Sequence, residues 1–262
     1  MGEPGSVIPD SSAREVQSVR TAFRIVGTVQ ELDGATLKEL ADRLDLAKST
    51  VHNYLGTLRS MGYLTKRDGT YRLGLRFLTH GMAAKGGIEV GETVEHALGE
   101  VAEDLSHAAW WVVEEFGRGI FVGRAGADDG AVYGRIGKRS YLHTHAPGKA
   151  ILAQLPAEYR KQAIDRHGLP VHTTKTVTDA DTLRDELDGI REQGYAVSDG
   201  EAALGVQSVG VAFEDPYGGV HAIGIFGYSH DFSRNRLEQD IPTVLSEAVA
   251  DIEDALAGRG VD

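Results

Sequence analysis

The sequence predicts an α+β protein of two domains, and three observations carry that prediction. Helical periodicity dominates the first eighty residues and closes in a hairpin signal, whereas strand-like apolar runs recur between residues 109 and 229. The charge also changes sign between the two halves. Residues 14–80 hold 11 Lys and Arg against 7 Asp and Glu, while residues 81–262 hold 16 against 30. A basic module joined to an acidic one implies two partners of different chemistry.

A chain of 262 residues with 41% hydrophobic and 25% charged content suits one large or two modest globular domains. No apolar run approaches the roughly 18 residues a membrane span needs. The start, "MGEPGSVIPDSSARE", lacks the basic and apolar regions of a signal peptide, and residues 1–13 read as a disordered tail. Cysteine is absent, which excludes disulfides, a thiolate nucleophile and a Cys-based zinc site. A cytoplasmic protein without membrane association is expected. The net charge of −12, with 8 Lys against 19 Arg, points to a high-salt interior. There the Debye length shrinks toward roughly 3 Å and non-specific phosphate attraction fades.

The elements follow in order. From Val16 to Leu32, Val16, Val19, Phe23, Val26 and Val29 recur every three or four positions, which predicts an amphipathic helix stopped by Asp33-Gly34. Thr36 followed by Glu39 is a capping-box pattern opening a second helix with Leu37, Leu40, Ala41 and Leu44 inward. "DLA" at 45–47 is a tight connection. The stretch "KSTVHNYLGTLRSM" then places Val51, Leu55, Leu58 and Met61 on one helical face and small polar groups on the other, ending at Gly62. Two short strands, 63–66 and 70–73, flank Asp68-Gly69, a hairpin turn signal. Three helices and a hairpin within about 65 residues describe a winged helix-turn-helix, whose second paired helix enters the DNA major groove. The groove-facing side must be slim and must present hydrogen-bonding groups. Ser49, Thr50, His52 and Asn53 suit that, since Asn bonds adenine in bidentate fashion. Lys48, Arg59 and, on the wing, Lys66, Arg67 and Arg72 are candidate phosphate contacts. Taken singly, the same polar residues would equally serve to solvate an exposed face.

"TLKELADRLDLAKSTVHNYLGTLRSMGYLTKRDGTYRLGLRFL" resembles the DNA-binding half of the IclR family of transcriptional regulators. The matching features are the run Lys48 to His52, the pair Gly62-Tyr63 and the wing end Tyr71 to Gly74. The family usually has arginine after the histidine; Asn53 stands there, which implies a different operator preference.

The acidic remainder opens with residues 75–100, read as a linker helix interrupted at Gly86-Gly87 and leading into a second domain. Strands are expected at 109–116, 119–125 and 131–136, then a helix from Pro147 or Gly148 and two amphipathic helices at 157–168 and 181–194. Three more strands, at 195–200, 206–215 and 219–229, precede a final helix at 237–257. No strand–GxGxxG–helix unit is present, so an antiparallel α/β sensor is expected in place of a nucleotide fold. The predicted organisation is tail 1–13, winged helix-turn-helix 14–78, linker helix 79–92 and sensor domain 93–258.

This half is similar to the GAF-like effector-binding domain of the same family, through "LHTHAPGKAILAQLP", "REQGYAVSDGEAALGVQSVGVAF" and "GVHAIGIFGYS". The resemblance implies an effector pocket lined by Ala146, Pro147, Ser198, Asp199, Val206, Ser208, Gly224 and Phe226, with Gly148 at the helix start and His143 and His145 lining or flanking it. A helix N-terminus at 147–149 would offer free backbone N–H groups to an anion, less the one that Pro147 lacks. Phe226 would shrink the pocket or favour an aromatic or apolar ligand, so the ligand class stays open.

His143, His145 and His221 invite a metal reading, but no Asp or Glu completes a ligand set. Ser208, His143 and Asp199 form a triad only on paper, since nothing resembles a nucleophile elbow. Neither a metal, a cofactor nor catalysis is expected. The resemblance implies a regulator of a catabolic or metabolic operon. Its partners would be double-stranded operator DNA, a small-molecule metabolite and further copies of itself, as a homodimer or dimer of dimers. The rival is a constitutive or architectural DNA-binding protein whose second domain only oligomerises.

Overall fold

The computed structural model describes residues 15–126 and 133–259, so the tail expected at 1–13 lies outside the described residues. Contacts divide the chain into two compact units that meet between Ile88 and Glu89.

The first unit runs α1 (Gln17–Glu31), β1 (Ala35–Thr36), α2 (Leu37–Leu44), α3 (Lys48–Ser60), β2 (Leu64–Arg67), β3 (Thr70–Leu73) and α4 (Arg76–Gly86). The capping box forms: Thr36 Oγ1 accepts from Glu39 N–H, and the Glu39 carboxylate accepts from Thr36 N–H at 2.8 Å. Asp45 closes α2 in the left-handed region at φ 52°, and three residues later α3 begins. Ile25, Val29, Leu40, Val51, Leu55, Leu64 and Tyr71 make the core between these helices and the hairpin. Truncating the fully buried Leu55 to Ala would cost about 2–5 kcal/mol. Asp68 and Gly69 both take positive φ, as a tight hairpin turn demands. The short β1, which the sequence pattern does not announce, adds a third strand to the sheet in the order β1-β3-β2.

The amphipathic pattern of α1 identifies the helix but only half of its inner face. Ile25, Val26 and Val29 are buried together with Thr21 and Thr28, whereas Val19 and Phe23 are 54% and 64% exposed. The exposed pair borders a cavity of about 680 Å³ that also takes in Val26, Leu58, Met61 and Phe77. None of the residues of α4 is buried in its unit.

The second unit contains α5 (Gly91–Leu105), β4 (Ala109–Glu115), β5 (Arg118–Ala125), β6 (Arg139–Tyr141), α6 (Ala146–Gln154), α7 (Ala157–His167), α8 (Ala180–Gln193), β7 (Ala196–Asp199), β8 (Val206–Glu214), β9 (Val220–Tyr228) and α9 (Ile241–Arg259). Its six strands pair antiparallel in the order β6-β5-β4-β9-β8-β7. Helix α6 packs against β8 and β9 on one face, while α5 and α9 pack together. The adjacent tryptophans split between the faces, as strand alternation requires. Trp110 joins the cluster beneath α6, and Trp111 reaches toward Gly91 at the start of α5 and donates its indole N–H to His221 Nδ1.

The strand expected at 131–136 is a correction. Residues 131–132 lie outside the described residues, and residues 133–136 form no strand. Gly137, at φ +79°, instead turns the chain back so that Phe121 and the 137–138 segment exchange hydrogen bonds, and pairing with β5 resumes as β6.

Candidate functional site

On the first unit the outer face of α3 carries Lys48, Ser49, Thr50, His52, Asn53 and Arg59, all exposed, opposite the buried Val51 and Leu55. Ala47 precedes the helix without a side-chain cap, so the first-turn N–H groups beside Lys48 have no capping acceptor. Ser49, Asn53 and Ser60 follow one another at four and seven residues, which aligns them on a single stripe with Gly56 between. Asn53 also sits at the rim of the apolar cavity beside α1.

The wing cations differ among themselves. Arg67 is exposed at the hairpin turn, and Lys66 lies over the ring of the buried Tyr71, 5.0 Å from its centroid. Arg72 is exposed but bonded within the unit. Its stem crosses Gly34, where any Cβ would come within 3.3 Å, and its Nη1 donates to the Asp33 carbonyl at 2.6 Å and pairs with the Asp33 carboxylate at 3.3 Å. Arg76, which the sequence reading passed over, caps the end of α3 by donating to the Met61 carbonyl and lies over Tyr63.

On the second unit the residues around α6 sit close together, in a different manner from the one expected. Gly210 and Gly224 are cross-strand neighbours, and a Cβ on either would approach atoms of Pro147 to 2.5 Å. This glycine floor lets the start of α6 lie directly on the sheet. Pro147 and Gly224 thus pack on each other and do not line open space. The expected free N–H groups are absent too. Ala146 N–H donates to Ser208 Oγ, Gly148 N–H to His145 Nδ1, and Lys149 N–H to the His145 carbonyl.

The role of His145 follows from those bonds. Since Nδ1 accepts, Nε2 must carry the proton, which it donates to Ser140 Oγ at 2.7 Å; Ser140 in turn donates to the Gly119 carbonyl. The ring is wholly buried, and that burial, reinforced by Lys138 nearby, pulls its pKa down to about 3. His143 is lowered to about 4 by burial, with Nε2 at 3.2 Å from the Pro170 carbonyl. Both rings are neutral at pH 7. With both nitrogens of His145 engaged, it has none left for a metal. Among the described residues no group of three His, Asp or Glu side chains is placed to hold an ion.

Ser198, Ser208 and Phe226 form one row across β7, β8 and β9, all buried, with Val206 in the next row. Asp199, one residue on, points to the other side, as alternation dictates. It is half-exposed and pairs with Lys175 at 2.6 Å and with Gln207, so it does not join the row. Phe226 packs instead into an aromatic box with Phe121, Tyr133 and His145, ring centroids 5.4–6.0 Å apart. Beside the box, Lys138 Nζ rests over the Tyr133 ring, 2.9 Å from its centroid, and Arg118 lies over Tyr141. Phe121, Tyr133, Lys138 and Arg118 escaped the sequence reading. The available signal was the basic run at Arg135, Lys138 and Arg139 within an acidic half.

Comparison with known proteins bears on both units. Residues 18–68 match the model of the IclR helix-turn-helix domain, and residues 91–254 that of the bacterial transcriptional regulator IclR C-terminal domain. A probable HTH-type transcriptional regulator, ArcR of Halobacterium salinarum, is 30% identical over 92% of this chain and 94% of its own length. The solved IclR regulator of Alicyclobacillus acidocaldarius superposes with TM-score 0.76 at 25% identity, covering 92% of this chain and 99% of that one. An IclR homologue of Microbacterium hydrocarbonoxydans, solved with 4-hydroxybenzoate, gives TM-score 0.72 at 21% identity over 92% and 99% of the two chains. These matches span both units, and the chain belongs to the IclR family of DNA-binding transcriptional regulators.

Proposed function

We propose that this chain is a one-component regulator that binds an operator as a homodimer and answers to a small metabolite of a catabolic or metabolic pathway. The observation that carries the reading is the outer stripe of α3. Its exposed Ser49, His52 and Asn53 present hydrogen-bonding groups with little bulk, on a helix anchored by Val51 and Leu55. Groups of that kind read base edges, while Lys48, Arg59, Lys66 and Arg67 hold phosphates. Arg72, whose Nη1 is already engaged by Asp33, is assigned to bracing the wing and not to holding a phosphate.

The second copy covers the apolar surface left open on the first unit. Val19 and Phe23 on α1, Met61, and Leu78 and Met82 on α4 are 47–64% exposed, and the first three share one apolar cavity. A two-fold dimer would set its recognition helices on half-sites about 34–36 Å apart, or a multiple of that.

The effector site lies on the face of the second sheet that bears α6, next to Ser198, Ser208 and Phe226. Support comes from the polar row ending in an aromatic box, and from the homologue that holds 4-hydroxybenzoate. Footprinting genomic fragments with the full chain tests the reading. Protected inverted half-sites whose occupancy changes with a metabolite support it. Occupancy indifferent to sequence and to every metabolite favours the architectural alternative.

A further inference from the structure

The middle of α3 carries a glycine, Gly56, which weakens a helix relative to alanine because glycine loses the most backbone freedom on folding. Gly56 is exposed on the outer face, opposite the fully buried Val51 and Leu55. A Cβ built on it meets nothing within 4 Å beyond its own helix backbone, so no close packing inside the unit calls for a glycine there. Other helices hold open glycines too, among them Gly27 and Gly99. Gly56 differs in lying on the helix that a helix-turn-helix places in the DNA major groove. Asn53 and Ser60 flank it on one side and His52 and Arg59 on the other, each three or four residues away. The floor between them is bare helix backbone, already engaged in the helix's own bonds. The Ser60 hydroxyl donates to the Thr57 carbonyl at 2.8 Å and that of Thr57 to the Asn53 carbonyl at 3.0 Å, so both protons are turned back onto the helix.

A hollow of that kind suits one group of the major groove. The amino and carbonyl edges of the bases, and purine N7, would lose a water partner against bare backbone and gain none. The C5-methyl of thymine needs no partner and gains from being covered. We propose that Gly56 is a specificity-determining residue of the DNA-binding face, a socket for the methyl group of a thymine beside the base that Asn53 reads. The proposal rests on the reading of α3 as the helix that reads bases. Asn53 ties the two features together. Its side chain is short, so a bidentate contact with adenine brings the helix backbone close to the base edges. Gly56 lies three residues further on, about 4.5 Å along the axis, against the roughly 3.4 Å rise of one base pair. At that approach a Cβ at position 56 would take the space of the methyl.

Operator duplexes enriched by the full chain from a randomised pool, with each thymine replaced in turn by uracil, test this by fluorescence anisotropy. The exchange removes the methyl and nothing else. One thymine per half-site, next to the base whose preference Asn53→Ala loses, should matter to the wild type. Its replacement should weaken binding about fourfold in one half-site and about 16-fold in both, the worth of one buried methyl each. Gly56→Ala should reverse the order and bind the uracil duplex more tightly than the thymine duplex, because its own methyl fills the socket. Its melting temperature should equal or exceed that of the wild type, which separates a filled socket from a damaged helix. Gly56→Ser provides a second variant should Gly56→Ala fail to fold. A role confined to the fold would leave thymine and uracil ranked alike in wild type and variant. Uracil without effect at every thymine, or a variant that keeps the wild-type preference for thymine, overturns the socket while the reading of α3 through Asn53 stands. A pool with no enriched half-site removes that reading and the socket together.

Discussion

Replacing Arg67 and Arg72 separately by alanine distinguishes two kinds of wing arginine that look alike in sequence. A cation that neutralises one DNA phosphate contributes about 0.9 to the slope of log affinity against log salt. Between 50 and 200 mM salt, losing one such contact softens the fall in affinity by roughly 3.5-fold, and losing two, as in a dimer, by roughly 12-fold. Arg67 stands exposed at the hairpin turn, so Arg67→Ala should show that change, with binding weakened evenly across sequences. Arg72 holds the Asp33 carbonyl at 2.6 Å with its stem across Gly34, and closes the α1–β1 turn onto the wing strand. Arg72→Ala should leave the slope unchanged and destabilise the unit by about 1 kcal/mol, since one charge-assisted bond to a carbonyl is lost. The Asp33 carboxylate is 99% exposed and adds little. Fluorescence anisotropy of a labelled operator across a salt series reads the slopes, and urea unfolding reads the stability. A lowered slope in Arg72→Ala together with a wild-type slope in Arg67→Ala would refute the reasoning.

Further outcomes are expected from the second unit. Gly224→Ala would thrust a Cβ to 2.5 Å from both Pro147 and the Val209 carbonyl, so overpacking should cost about 1–3 kcal/mol, readable as a lowered melting temperature. A melting point equal to wild type would mean that α6 is not seated on the glycine floor. His145 and His143, lowered to about 3 and 4, bind fewer protons folded than unfolded between those values and the ordinary 6.5. Their contribution is therefore fully present above pH 6.5 and is lost as the pH falls, at up to about 1.4 kcal/mol per pH unit for each ring. Urea titrations at pH 7, 5.5 and 4.5 should show that decline, and a stability indifferent to pH over this range would contradict the buried neutral rings.

The first unit was nearly all legible because its signals are local. A capping box, a left-handed turn at Asp45, the period of Val51 and Leu55 and the Asp68-Gly69 turn each act within a few residues. The inner face of α1 misled, as did Met61, which continues the period of α3 yet is 47% exposed. Val19 and Phe23 continue the apolar period, but the core of the unit takes Ile25 instead and leaves them at the surface. In the second unit the strands after residue 190 follow their alternation, and Ser198, Ser208 and Phe226 share one row as strand spacing requires. Spacing cannot show what each group finds across the fold. Whether the N–H groups of α6 stay free depends on Ser208, sixty-two residues away, and on the imidazole of His145. The seating of Pro147 depends on two glycines on neighbouring strands. The aromatic box and its cations draw on β5, β6, β9 and the turn between β5 and β6, so no single stretch of sequence displays them.

The central claim, that α3 reads bases through its small polar stripe, meets its most direct test in selection from a randomised duplex pool. The full chain and Asn53→Ala would be run side by side at the same salt. The wild type should enrich inverted half-sites one helical turn apart or a multiple of it. The variant should lose preference at one base of each half-site, at a cost of about 1–3 kcal/mol per site, and keep the rest. A profile unchanged by Asn53→Ala, or a wild-type pool with no enrichment, would contradict it.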